Sequence, residues 1–155
     1  MATWNEFAAA APEIAEAGVQ LLERFGLAYV ATVRRDGAPR VHPVCPLIAD
    51  GRLFVATDPS SPKLRELRED GRYVLHMLPG DNDAEFFVRG RATEITDAST
   101  RTLAIEGAAA FGDGTLRITA DELLFEYEID EAYSAHWENV GQPDTRPVRQ
   151  RWSAS

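Results

Sequence analysis

Ser61-Pro62-Lys63 is the stretch of this sequence whose residue types and spacing could do chemistry. With Ser61 at an N-cap, Pro62 at the first helical position and Lys63 behind it, a hydroxyl, free backbone N–H groups and an ammonium would converge on one spot. A helix start of this kind attracts phosphate, because its unpaired donors and its dipole both favour negative charge. The competing reading is a plain start of a surface helix. Lys63 is the only lysine in 155 residues, in a chain with 25 acidic against 16 basic residues and a formal net charge of −9. Any bound phosphate would therefore lean on it. The same balance, with no concentrated basic patch, argues against nucleic acid or an anionic membrane as partner and for a small molecule.

Other chemistries fail on residue count or spacing. A single cysteine, Cys45, excludes a disulfide framework and a cysteine-rich metal site. His42, His76 and His136 show no metal-ligand spacing, so no metal is expected. There is no Gly-x-Ser-x-Gly elbow, no Gly-rich phosphate loop ending in Lys-Ser/Thr, no His-Glu-x-x-His and no Cys-x-x-Cys. Glu122, Glu126 and Glu128 read as the solvated face of a charged strand. No catalytic side chain can be named, and an enzyme of this sequence would carry its reactive centre on a cofactor.

The elements around Ser61 to Lys63 follow from periodicity. Three apolar, β-branched segments, Leu27–Val33, Arg40–Ile48 and Arg52–Thr57, are separated by Asp36-Gly37 and Asp50-Gly51, the signature of a three-stranded antiparallel meander. The middle segment contains Pro43 and Pro46, which cannot donate to a ladder, so it should be locally open there. Lys63 then leads into a short helix, Leu64–Asp70, and a fourth strand, Arg72–Leu78. Upstream, Ile14, Ala17, Gly18, Leu21, Leu22 and Phe25 form one apolar stripe, predicting a helix from Pro12 to Phe25 that ends at Gly26 and serves packing. Residues 1–11 are weakly patterned and expected to be frayed. Downstream come a long strand, Glu85–Ile95, with a bulge or bend at Gly90, a helix over Ser99–Ala110 ending near Gly112-Asp113-Gly114, and an alternating strand, Asp121–Ile129. The length suits one domain, no apolar run approaches the ~20 residues of a membrane span, and no signal-like segment is seen, so the expected compartment is the cytoplasm.

Taken in order, the Val-Ala-Thr-Val-x-x-Asp-Gly-x-Pro run ending at Pro39, a second strand, Asp50-Gly51, a third strand ending in Thr57, Ser-x-Lys63 and a short helix resemble the pyridoxamine 5′-phosphate oxidase-like family. The resemblance implies a mainly β fold, a six- to seven-stranded antiparallel split β-barrel that binds FMN, and a homodimer with two cofactor sites at its interface. It places His42, Pro43, Val44, Cys45, Ala56, Thr57, Ser61, Lys63 and Glu85 at the cofactor, completed from the second subunit by Trp137 and by Arg146 or Arg149. It implies an oxidoreductase acting on a small organic substrate, with hydride passing through the flavin N5. Two alternatives share the fold: a reductase using a deazaflavin coenzyme, and a non-catalytic flavin- or haem-binding protein. Two departures stand out. At the place of His42 the oxidase carries an arginine that meets the cofactor phosphate, and its C-terminal substrate-recognising pattern is missing here, so oxidation of pyridoxamine 5′-phosphate itself is not implied.

Overall fold

A computed structural model describes residues 1–112 and 114–155. Eight strands form one antiparallel sheet: β1 (Ala28–Val33), β2 (Pro39–Val44), β3 (Pro46–Ala49), β4 (Arg52–Thr57), β5 (Arg72–Met77), β6 (Glu85–Glu94), β7 (Leu123–Glu138) and β8 (Arg146–Ser153). Their order is β2-β1-β5-β6-β7-β4-β3, with β8 paired to β7. Four helices accompany them: α1 (Trp4–Ala10), α2 (Pro12–Phe25), α3 (Lys63–Glu69) and α4 (Ala98–Ala110). This is the expected mainly β, split-barrel class. The strand count is eight because the second segment divides in two and the C-terminal tail adds a ribbon strand.

The division occurs at Cys45. The expected continuous strand from Arg40 to Ile48 is instead β2, paired with β1, and β3, paired with β4. Pro43 and Pro46 flank the break, and neither can supply an N–H to hold the strand together. Because β2 and β3 are the two ends of the sheet path, the chain bridges the open seam of the barrel through one residue.

Asp50 and Gly51 both take positive φ, 48° and 67°, as a two-residue hairpin of this hand requires. The bulge predicted at Gly90 is present, as the β6–β7 register shifts between Arg89 and Gly90. A Cβ there would lie 2.0 Å from the Glu128 carbonyl oxygen, so only glycine allows this approach.

The helix from Pro12 to Phe25 forms as expected and stops at Gly26, whose left-handed φ of 65° lets its N–H cap the Leu22 carbonyl. It buries Ile14, Ala15, Gly18, Leu21 and Leu22 in the main core, where Gly18 sits against the Phe86 ring. The frayed start is corrected. Residues Trp4–Ala10 form α1, capped by a Thr3–Glu6 capping box, with Trp4 and Phe7 buried. Helix α4 starts at the Asp97 cap, and Asp113 of its expected terminal turn lies outside the described residues. Beneath α4 a second, smaller core gathers Leu47, Ala49, Phe54 and Leu124 on the outer face of β3, β4 and β7. No helix of the described residues is long and apolar enough to cross a membrane.

Candidate functional site

Helix α3 brings Lys63 to the barrel seam. It is pinned by Glu66, whose carboxylate accepts from Thr32 Oγ1 at 2.5 Å and from Arg40 Nε at 2.8 Å. Burial works against the Glu66 charge, but these two bonds outweigh it and hold the carboxyl below its usual range.

The helix start differs from the expectation. Pro62, not Ser61, occupies the cap position, with helical φ and ψ and no side-chain cap bond. The Ser61 hydroxyl instead accepts from Lys63 Nζ at 3.2 Å. Asp58 folds the preceding turn, accepting from the Ser60 N–H at 2.7 Å and the Ser60 hydroxyl at 2.5 Å.

Lys63 is only 7% exposed, unlike a residue at the plain start of a surface helix, and burial pushes its ammonium below the ordinary lysine value. Asp58 and Glu122 pull the other way through space, yet no carboxylate among the described residues stands within ion-pair distance of it. It faces a cavity of about 310 Å3. One wall is the seam, Pro43, Val44 and Cys45; another is Ala56 on β4; the third is the segment around Arg117, with Leu116 and Ile118 packed on the second core.

Five of the sequence-predicted site residues, Pro43, Val44, Cys45, Ala56 and Lys63, thus line one cavity, with Ser61 bonded to Lys63. Thr57 is adjacent in the chain but points to the inner face, fully buried, with its hydroxyl unpartnered. His42 also lies on the inner side of β2, opposite Val30, outside this cavity. Glu85 faces a separate groove of about 840 Å3 between α2 and the β7–β8 ribbon, and its carboxylate lies 3.9 Å from His76 Nε2. Trp137, Arg146 and Arg149 stand on that ribbon, none of them in the cavity of their own chain.

Asp58, Glu122 and Arg117 are the charged cavity residues that sequence reading missed. Asp58 was visible as the acidic residue opening the loop, five positions before Lys63. Glu126, read with Glu122 as solvated, is instead clamped by Arg52 through two bonds, 2.8 and 2.5 Å long.

The donor set can be weighed against a flavin. The apolar walls and the main chain of a strand broken by prolines suit a flat ring system with polar edges. A phosphate would find Lys63, Arg117 and Ser61, opposed by the carboxylates of Asp58 and Glu122. The apolar walls leave room for a flat ring, and Lys63 with Arg117 would offset the charge of a phosphate.

An open antiparallel split barrel with a cavity at its seam is the class that this geometry defines. The family model described as pyridoxamine 5′-phosphate oxidase matches residues 14–151, and the chain belongs to that family. Similar solved structures include a protein related to general stress protein 26, of the pyridoxinephosphate oxidase family, from Clostridium acetobutylicum, at TM-score 0.62 and 15% identity, covering 90% of this chain and 94% of that one. A haem-binding protein from Mycobacterium smegmatis matches at TM-score 0.62 and 16% identity over 88% of this chain, which spans 57% of that protein's length. ChuZ of Campylobacter jejuni matches at TM-score 0.68 and 10% identity, over 88% of this chain and 59% of that one. At these identities the likeness is one of fold. Comparison with curated protein sequences gave no match.

Proposed function

We propose that this chain binds a flavin nucleotide, FMN, in the seam cavity and acts as a flavin-dependent oxidoreductase on a small organic substrate. The observation that supports this reading is the convergence of the seam residues Pro43, Val44 and Cys45 with the chain's only lysine around one cavity. A bound flavin would supply two-electron transfer, and the chain's part is placement. The backbone beside Pro43 and Pro46, freed from strand pairing, offers polar groups to a ring edge, and Ala56 leaves room for a ring above β4. Lys63 and the Ser61 hydroxyl would hold the phosphate, and Leu116 and Ile118 would shield the cavity from water. Trp137 and Arg146 or Arg149 would come from a second copy.

Titration of the purified protein with FMN and with riboflavin, followed by flavin fluorescence quenching, tests this. FMN should bind more tightly, by the contribution of one charge-assisted hydrogen bond. Equal affinity for the two would remove the phosphate site, and binding of neither would remove the flavin reading. The deazaflavin coenzyme and haem enter the same comparison. Tight binding of either with negligible FMN binding would replace this assignment with the corresponding alternative on the same fold.

A further inference from the structure

Helix α3 has little of its own to fix its position. It is seven residues long, too short to stand alone, and no side chain caps its start. Leu64 and Leu67 sink into the main core, but apolar contact is non-directional and leaves a short helix free to slide or roll. Two ion pairs, Arg68 with Glu94 and Arg35 with Glu69, lie toward the surface, where such pairs hold weakly. What remains is Glu66, 5% exposed and one turn along from Lys63, so that the two share a face of the helix.

The two carboxylate oxygens of Glu66 are divided between two strands. Oε2 accepts from Thr32 on β1 and Oε1 from Arg40 on β2, and these two residues face each other as a cross-strand pair. Helix α3 is the next element after β4, which lies with β3 at one end of the sheet path. Strand β2 is the other end, and its only ladder is to β1. Glu66 therefore ties the two margins of the seam together by side chains, at the opposite end of β2 from Cys45, where the main chain joins them.

We propose that Glu66 is the positioning residue for the phosphate end of the seam cavity: by locking α3 across the seam it holds Lys63 at the cavity wall, and so sets the preference for a phosphorylated over an unphosphorylated flavin. The phosphate role rests on the flavin reading above, whereas the lock itself does not. The ring end has its own supports, because Val44 is registered opposite Ala28 on β1 and Pro46 opposite Val55 on β4. Lys63 has none of that kind. Its bond to Ser61, 3.2 Å long, lies within the same turn and moves with the helix.

Three roles for Glu66 lead to different outcomes. As a negative charge near a phosphate it would oppose FMN, so every neutral variant would prefer FMN more and the Lys63 ammonium would titrate lower still. As a fold support alone, its loss would lower the melting temperature and leave both the preference and the titration unchanged. As a lock, its loss frees Lys63 to meet water, so the preference falls and the titration moves up toward the ordinary 10.5.

Two variants separate these roles. Glu66→Met keeps the length and removes both acceptors, while Glu66→Gln removes the charge but keeps an oxygen for Arg40. Asp58 and Glu122, which act on Lys63 through space, are untouched in both. Flavin fluorescence quenching reads the preference. Nuclear magnetic resonance with isotope-labelled lysine reads the titration from one signal, since Lys63 is the only lysine. Glu66→Met should weaken FMN binding by about tenfold, leave riboflavin nearly as before and raise the Lys63 titration, with Glu66→Gln retaining most of the wild-type behaviour. A folded Glu66→Met with wild-type preference and titration, or a Glu66→Gln indistinguishable from it, overturns the proposal. If Glu66→Met does not fold, Thr32→Val removes one of the two bonds and keeps the ion pair with Arg40. It should move both readouts in the same direction by less, and no movement in either overturns the proposal. A wild type that binds FMN and riboflavin equally, or binds neither, overturns the phosphate reading instead, and the Lys63 titration then decides the lock alone.

Discussion

Lys63 shows how much a single side chain's chemistry depends on what folds around it. That Ser61 and Lys63 meet was legible from their spacing, and they do, at 3.2 Å. The burial was not legible, because Leu116 and Ile118 arrive from about 55 positions downstream, and neither belongs to a periodic element that would announce a wall. Glu122 was misread for a related reason: alternation shows which residues share a face of a strand, not whether a distant segment covers that face. Burial gives a testable conflict between stability and binding. The folded chain holds the Lys63 ammonium below its ordinary value of 10.5, so the unfolded chain keeps that proton to higher pH. The lysine therefore weakens folding near neutrality, and stability recovers as pH rises from the lowered value toward 10.5. Lys63→Met keeps the length and removes the charge. It should stabilise the free protein by about 1 kcal/mol or more near pH 7, with the advantage shrinking on approach to 10.5. The same variant should bind FMN about ten- to a hundredfold more weakly and riboflavin nearly as before, since only FMN carries the phosphate. Paired thermal melts across pH and the two titrations check it. A loss of stability at neutral pH would mean that Lys63 is well solvated in the fold.

Among the elements, local chemistry set most boundaries, and long-range pairing set the rest. The helix from Pro12 to Phe25 matched because stripe, N-terminal proline and C-terminal glycine agree. The second strand was seen with its two prolines and still drawn as one, since nothing local says that its halves belong to opposite ends of a sheet. The extension of β7 past Ile129 to Glu138 was missed, because its second half pairs with β6 and β8 and mixes small and polar residues. Gly90 is the case where a local signal carried global meaning. Its bulge sits where β7 shifts from pairing Ile129 with Gly90 to pairing Glu131 with Arg89, passing over Asp130, and the missing side chain admits the Glu128 carbonyl. Gly90→Ala would place a methyl 2.0 Å from that oxygen and 3.0 Å from the Asp130 nitrogen, so backbone on both strands must move. The expected cost is about 3 kcal/mol, or roughly 6–12 °C in Tm for a chain of this size. Circular dichroism melting reads it directly. A shift within a degree or two would show that the two strands separate here at no cost, and that the close approach is incidental.

At the scale of the molecule, the barrel is held shut at one end by a segment that looked dispensable. The order of pieces from Val30 to Lys63 carried the fold class, but Thr3, Trp4, Glu6 and Phe7 were passed over among alanines. The pattern was present: Thr-x-x-Glu is a capping box, and Trp4 and Phe7 lie three apart, on one face of the short helix it starts. In the fold, Phe7 is completely buried and touches three aromatic neighbours, with ring centroids 5.3 Å from Trp4, 5.1 Å from Trp152 and 6.4 Å from Phe86. It joins the first helix, the last strand and the middle of the sheet, elements that share no hydrogen-bonded ladder at this point. Phe7→Ala removes that junction and leaves a cavity, at a cost of about 3–5 kcal/mol. Domains of this size are stable by about 5–15 kcal/mol in all, so one ring near the terminus carries a large part of the total. In urea, with a slope of about 2 kcal/mol/M, the unfolding midpoint should fall by roughly 1.5–2.5 M, measured by tryptophan fluorescence at fixed protein concentration. An unchanged midpoint would mean that the first helix detaches before the rest unfolds, leaving the barrel to stand on α2 and the sheet alone.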